Sequence, residues 1–498
     1  MTLVLTGTVV TMVEGAEPIA DGAVYIDDEG RVEAVQPSGD PVPAGYREAP
    51  RIDTGGTLFP GLVELHEHLV FATIPLWTPP ATSYESRYEW PVHPGYQRDI
   101  AEPAGVLGLL AGEALLGYAQ LKSLAGGGTT VQGSARSSRP GAGWFLRDVE
   151  YETFGGSVAP AVSVVGAVAD ADLQTFRRGA GPAGSLISHL AEGVASDLRR
   201  ELSVVEDAGL LGPGFIGIHA NALTADDLMT WGAHGGTLVW SPFTNLWLYE
   251  RTADVVAARS AGLRVCLGSD WSPSGTKTVL GELKVAAHLN ATRLGGAFTA
   301  EDLCAMVTRS PAEALGWDAC IGTIEPGRQA DITVVRRRSG GHADLISAWE
   351  DDVLLVVLGG SPVYGETALM ARTCRGATLE PLLDGTSVAV GSGGAPSPRA
   401  VLRDLEAVRR DPVAARARVL EQPAAQRFWL GAAIPPAGFE DPGQPSDARL
   451  RATTFPKLDT FVHDAVFRAK VAARQPGLLE AFLRGVGTGQ VVGTTPPS

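Results

Sequence analysis

Two kinds of hydrophobic pattern share this chain. Near the N-terminus the apolar positions alternate. Val24 and Ile26 face one way, Asp27-Asp28-Glu29-Gly30 supplies a turn, and Val32 resumes the alternation. A period of two is that of a half-buried strand. The same pattern returns far downstream, with Ile321 to Ile324, a Pro326-Gly327 turn, and Asp331 to Val335. Segments 1–56 and 321–373 are therefore expected to complete one small β-sandwich domain, whose core neither could bury alone; two separate β-flaps are the alternative.

Between residues 57 and 320 the pattern changes to short β-branched runs separated by helical stretches. The runs include Thr129-Thr130-Val131, Val162 to Val165, Ser185 to Ile187, Phe215 to Ile218, Thr237 to Trp240 and Arg264 to Leu267. Such alternation predicts βα units around a parallel sheet. Thr224-Ala-Asp-Asp227 reads as a capping box. Ser310-Pro311 reads as an N-cap followed by proline at the first helical position, with Gly316 as the stop. From 374 to 498 the chain reads as an appended, mainly helical extension, with helical segments near Arg399–Arg410 and Leu458–Leu483 and a Pro-rich loop from Ile434 to Pro445 between them. Stretches 385–398 and 486–498 are the candidates for disorder. No candidate metal ligand lies in the extension, so its removal is expected to leave the ligand set intact.

Composition narrows the function. Of 498 residues, 45% are hydrophobic and 19% charged, as in folded proteins. The formal charge of −16, from 56 acidic against 40 basic residues, disfavours nucleic acid and anionic membrane as partners. The N-terminal MTLVLTGTVV lacks a basic leader pattern, and no run of about 18 apolar residues occurs, so neither secretion nor a membrane span is expected. Four scattered cysteines without CxxC spacing suggest a reduced, cytoplasmic setting.

The sharpest chemical signal is Pro60-Gly-Leu-Val-Glu-Leu-His66-Glu67-His68. At a strand end, residues i and i+2 share a face, so both imidazoles present nitrogen to one cation. Three more strand-like runs end in side chains of the same chemistry: His189 (with Glu192 three residues on), His219 and Asp270. Each by itself also fits a capping or core role. In a parallel barrel, however, all strand C-termini open on one face, where the four would converge.

The order His-x-His, His-x-x-Glu, His, Gly-Ser-Asp resembles the amidohydrolase superfamily, and most closely its amino- and chlorohydrolase branch acting on purines, pyrimidines and triazines. Gly128-Thr-Thr-Val131, Ser241-Pro-Phe-Thr-Asn245, the Ser310–Gly316 helix and Gly322-Thr-Ile-Glu-Pro-Gly-Arg-Gln-Ala-Asp331 match as well. The resemblance covers residues 1 to about 373. It implies an α/β fold, a (β/α)8 TIM-like barrel over 57–320 flanked by the β-sandwich. It also implies His66, His68, His189 and Asp270 as ligands of one divalent transition metal, Zn2+ or Fe2+. Asp270 would also accept the water proton, Glu192 would shuttle protons, and His219 would polarise the reacting atoms. Binuclear members bridge two metals with a carboxylated lysine, yet this chain has no lysine between Lys122 and Lys277. One metal is therefore expected.

The implied reaction is hydrolysis of a C–N bond in a small cyclic or aromatic amide or amidine. The alternative is an aminohydrolase of a nucleobase-like heterocycle, and the remaining reading is a non-catalytic metal-binding relative. The aromatic stretch Phe71–Ile100 reads as a lid, so Trp77, Arg87 and Trp90, with Gln132 and Trp271, are candidate substrate contacts; Trp247 and Tyr249 are further candidates for pocket walls. Lys277 and Glu282 read as helix-surface or supporting groups, and His463 as lacking a ligand-like setting. Two departures stand out: Glu64 occupies a position where the family usually has Asp, and the Val239–Asn245 segment lacks the histidine of purine-type deaminases. A small-molecule substrate and a homo-oligomer are the expected partners.

Overall fold

The computed structural model describes residues 2–133, 145–150, 154, 161–162, 184–374, 376–391, 395–431 and 445–483. The strand expected through Val165 lies outside them beyond Val162, as do most of the Pro-rich loop and all of 486–498.

The chain opens with four strands, β1 (Leu3–Val9), β2 (Ile19–Ile26), β3 (Val32–Pro37) and β4 (Arg51–Pro60). From Arg51 to Gly55 exposed and buried residues alternate, after which β4 is buried throughout as it dives into the molecule. Parallel strands follow: β5 (Leu62–Glu64), β6 (Gly128–Val131) and β7 (Arg147–Asp148), then β8 (Ala161–Val162), β9 (Leu186–Leu190), β10 (Phe215–His219), β11 (Thr237–Trp240) and β12 (Arg264–Leu267). They form a three-stranded sheet, β5-β6-β7, and a five-stranded sheet, β12-β11-β10-β9-β8, both wholly parallel in register. Every residue of β9, β10 and β11 is buried, the composition of strands covered on both faces. At one edge the two sheets meet: Glu67 bridges Asp270 in parallel, and the Asp270 N–H donates to the His66 carbonyl at 2.9 Å.

The chain then returns to its beginning with β13 (Ile332–Arg336), β14 (Val353–Leu358), β15 (Ser361–Glu366), β16 (Thr378–Pro381) and β17 (Thr386–Val390). β13 pairs with β4, so both ends of the chain share one nine-stranded mixed sheet, β16-β17-β15-β14-β13-β4-β1-β2-β3. Leu5, Val24, Leu58, Val334 and Leu355 pack across that seam. The sheet runs past residue 373. β17 pairs with β15 through Tyr364 and Val388, and strand formation continues to Val390, inside a stretch read from the sequence as helical extension or disorder.

Helix ends follow the sequence in one place and depart from it in another. Thr224 and Asp227 form the expected reciprocal capping box of helix Ala225–His234. The helix expected to start at Ser310 instead runs Arg309–Ala314 behind Thr308, whose hydroxyl turns back to the Cys304 carbonyl at 2.8 Å and so caps nothing; Gly316, at φ +69°, does follow its end.

In the C-terminal part, helix Pro398–Arg410 buries Val401, Leu405 and Val408, one face at i, i+4 and i+7, and Val401 packs at Gly117 of helix Gly112–Ala125. Leu458 to Asp464 is not helical. It threads into the molecule, where Asp459 pairs with Lys122 and Lys277, and the buried His463 ring meets Glu350 at 2.5 Å. Lys277 and Glu282 are therefore buried rather than helix-surface groups. No single described helix is long and apolar enough to cross a membrane; the one pair that passes together, Pro94–Leu110 and Gly112–Ala125, is bent by 111°.

Candidate metal centre

The parallel strands deliver five side chains to one place. His66 and His68 leave β5 on the same side, His189 lies within β9, His219 ends β10, and Asp270 follows β12. The ligating atoms of His66, His68, His189 and Asp270 all lie within 4.8 Å of one another. Asp270 Oδ1 is 3.0 Å from His66 Nε2 and 3.4 Å from His68 Nε2. A second group, within the same limit, joins His189 to Glu192 and His219. The two groups share His189.

Backbone strain marks the same place. Among the described residues, seven non-glycine residues have positive φ, and four of them are Ala191, His219, Ala220 and Asp270, at or just past the strand ends. Such conformations persist only where surroundings enforce them. Glu201 does so at Ala191, accepting its N–H at 2.6 Å. Glu64 does so beside Asp270, accepting the Ser269 N–H at 2.9 Å; its burial lifts that carboxyl to about 8. The longer side chain, standing where the family usually has Asp, reaches the backbone of the Asp270 loop.

Burial suppresses the charged form of His68 and His189. The His189 ring is pushed well below its usual range by burial and then by the nearby Arg87 and histidines, and His68 is lowered chiefly by burial. Burial alone would raise the Asp270 carboxyl, but the His66 and His68 imidazoles outweigh it and hold the group well below the carboxylate range. Imidazole nitrogens around an ionised carboxylate are the donor set of a zinc-type site. Both ring nitrogens of His66, Nδ1 of His189 and Nε2 of His219 are buried without a hydrogen-bond partner, a costly state that a cation would relieve. The residues fit a metal.

Around Glu192 the structure builds a rigid cradle. Its Oε1 accepts the Tyr249 hydroxyl at 2.6 Å; its Oε2 lies 3.2 Å from Arg87 Nη1 and 3.7 Å from His219 Nε2. Tyr249 in turn accepts the Trp90 indole N–H at 3.1 Å. His219 Nδ1 meets Asn245 Oδ1 at 2.9 Å, which leaves Nε2 facing the centre. Arg87 reaches the site because the lid docks on the end of β9: Ser86 bridges Gly193, and Val194 N donates to Glu85 O at 2.7 Å. A Cβ on Gly193, at φ +140°, would lie 2.4 Å from the Glu85 carbonyl, so only glycine admits the contact.

Of the substrate candidates, Arg87, Trp90 and Trp271 stand at this centre. Trp90 stacks on Trp271 at 4.9 Å, and Trp271 meets Phe71 at 5.0 Å. Trp77 lies within the lid, its ring 6.4 Å from Tyr96 and its carbonyl accepting from Trp247. Gln132 follows β6 and donates to Glu150 at 2.8 Å. The role of Asn245 was not readable beyond its motif, nor that of Tyr249 beyond a pocket wall. The available signal was their spacing: i and i+4 on helix Pro242–Tyr249 directly after β11.

Gly268 offers a direct test of the centre's tightness. A Cβ there would lie 2.6 Å from His66 Cβ and 2.9 Å from Val239 Cγ1, neither of which can swing away. Gly268→Ala is expected to displace His66 and weaken metal binding about 10–100-fold, the scale of lost supporting contacts; competition with a chromogenic chelator measures it.

Comparison with known proteins agrees with this geometry. Residues 185–363 match the model of the Amidohydrolase family. The 5-methylthioadenosine/S-adenosylhomocysteine deaminase of Syntrophobacter fumaroxidans is 36% identical over 160 residues, 30% of this chain and 36% of that protein. The match thus spans little more than a third of the relative's length. An adenosine deaminase from Xanthomonas campestris with bound zinc superposes with a TM-score of 0.62 at 20% identity, covering 82% of this chain and 98% of the other. The atrazine chlorohydrolase of Arthrobacter aurescens TC1, complexed with zinc, gives 0.58 at 20% identity, covering 72% and 95%. Over residues 185–363 the chain is therefore similar to the Amidohydrolase family, and His189, Glu192, His219 and Asp270 of the centre lie inside that match.

Proposed function

We propose that this protein is a mononuclear metal-dependent aminohydrolase that removes an exocyclic amino group from a nitrogen heterocycle by C–N hydrolysis. The observation that carries the reading is the shared His189: the four-residue ligand set abuts Glu192 and His219, so an acid–base pair stands within reach of whatever water the centre holds. In the same reading the eight parallel strands close into a (β/α)8 barrel, with the Glu67–Asp270 bridge as one seam. The mixed sheet, through Val390, forms the flanking β-domain, and the described residues from Pro398 onward form a partly helical extension.

His66, His68, His189 and Asp270 would hold the metal. When bound, a divalent transition metal acts as a Lewis acid and lowers the pKa of water towards neutrality. Asp270 and Glu192 are the carboxylates placed to take up a proton, and Glu192 passes one to the departing nitrogen. Its two oxygens are fixed separately, by Tyr249 and by Arg87, so its reach is set before substrate arrives. His219, steadied by Asn245, presents Nε2 to the ring atom under attack. Trp90, Trp271 and Phe71 offer faces and edges for a flat ring. Purine nucleosides come first as substrates, following the deaminase relative. Cyclic-amide hydrolysis is the second reading, favoured by the buried Trp240, which stands where purine-type deaminases carry histidine.

Metal-replete protein is expected to release ammonia from 5′-methylthioadenosine, adenosine or guanine, and to lose the activity on chelation. Hydantoin-type ring opening without ammonia release would favour the second reading, and the absence of both reactions would refute the first. Elemental analysis is expected to find about one transition metal per chain, since the four ligands make one site and no lysine can form a carbamate bridge; two equivalents would contradict it.

A further inference from the structure

The chain has only five lysines, and four of them meet at one point far apart in sequence. Lys122 and Lys277 grip opposite oxygens of Asp459. Lys277, Lys457 and Lys470 line a cavity of about 150 Å3 between the extended segment 457–464 and the root of the lid at Pro75 and Leu76. Two carboxylates line this cavity and both are committed, while Lys122 behind it also faces Glu67. Asp459 holds the two buried lysines, while Asp464 caps helix Ala465–Arg474 through the Phe467 N–H at 2.9 Å and takes the Thr460 hydroxyl at 3.0 Å. Three lysines against two aspartates leave the cavity lining one surplus positive charge in a protein whose net charge is −16.

The donors are not exhausted. An ammonium has three N–H groups. Lys277 gives its own to Asp459 and to the Thr460 carbonyl, Lys470 donates to the Leu76 carbonyl, and Lys457 is exposed. The cavity does not end there. Val466 and Lys470 are shared with an adjoining groove of about 690 Å3, lined by Ala465, Ala469 and Ala473 of the same helix and by Glu250 and Arg474. Val466, among the most exposed large apolar side chains described, lies on the rim common to both.

We propose that this is a second ligand site, separate from the metal centre, for a small anionic amphiphile. A carboxylate or phosphate head sits among Lys277, Lys457 and Lys470, and its apolar chain lies along the alanine groove. Charge complementarity selects the head, and the continuity of cavity and groove selects the chain. The site touches the lid through Leu76 and the Asp270 loop through Lys277, so an occupant would brace both.

The test is calorimetric titration of the full-length, metal-loaded protein with octanoate, octyl phosphate and inorganic phosphate. Saturable binding of at least one octyl probe with Kd of about 1 mM or tighter is expected, with inorganic phosphate weaker by about tenfold or more, since burial of the chain adds affinity. Comparing the octyl probes separates carboxylate from phosphate sources. Lys457→Glu, at an exposed position that leaves the fold intact, should weaken the octyl probes about tenfold by reversing a charge beside the head; Lys470→Met should do the same. No saturable binding of either octyl probe, or binding unchanged in both variants, would overturn the proposal. Inorganic phosphate binding as tightly as octyl phosphate would remove the amphiphile assignment.

Discussion

Glu192→Gln should retain the metal and substrate binding while turnover falls about 10²–10⁴-fold, the usual scale for losing a general acid–base group. The glutamine keeps the length and polarity of the side chain: its one oxygen can accept from Arg87, and its amide N–H can donate to the Tyr249 hydroxyl oxygen, which reverses that hydrogen bond. What is lost is exchange of a proton near neutral pH. Asp270→Asn should behave differently. It removes the anionic member of a cluster whose other three members are histidines, so metal content and rate should fall together. Elemental analysis and single-turnover rates on the two variants separate the roles. Release of metal by Glu192→Gln would make it a ligand; turnover at the parental rate would move the proton to Asp270 or His219.

The convergence of five polar side chains at four strand ends is legible in the sequence because it rests on short-range rules. A His-x-His pair shares a face through the period of two, and parallel strands open on one side. Their neighbours were harder to read. Tyr249 and Asn245 reach Glu192 and His219 from a helix, where the sequence records only an i, i+4 spacing. Arg87 was identifiable as a lid residue, but its contact with Glu192 depends on the Ser86–Gly193 bridge between segments about a hundred positions apart. β16 and β17 are hidden in the sequence by Gly/Ser/Pro-rich surroundings, and they join the sheet only because β17 pairs with β15 and β16 with β17. Tertiary pairing decided each of these cases, and no local pattern encodes it.

Asp459→Ala is expected to destabilise the protein by about 3–5 kcal/mol, the cost of stranding a buried charge by removing its partner. Here two ammonium groups are stranded at once, Lys122 and Lys277, both almost wholly buried. The consequence extends to the centre. Lys122 also donates to the Ala72 carbonyl at 3.0 Å and to Ser272 Oγ at 2.7 Å, beside Phe71 and Trp271, whose rings meet at the site. The expectation that the extension can be removed without consequence for the ligand set is thereby reversed: a chain ending before residue 445 should fail to fold or to hold metal. The pH dependence follows from the same pair. Burial would raise the Asp459 carboxyl, but Lys122 and Lys277 hold it below its ordinary value. A depressed carboxylate stabilises the fold fully above its unfolded pKa, about 3.9, and loses that contribution as pH falls through the folded value. Asp459→Asn should therefore be less stable than the parent at neutral pH and show a shallower further loss below about pH 4. Chemical denaturation at pH 7 and in mild acid measures both, and equal stability of variant and parent at pH 7 would show that the lysines find other partners.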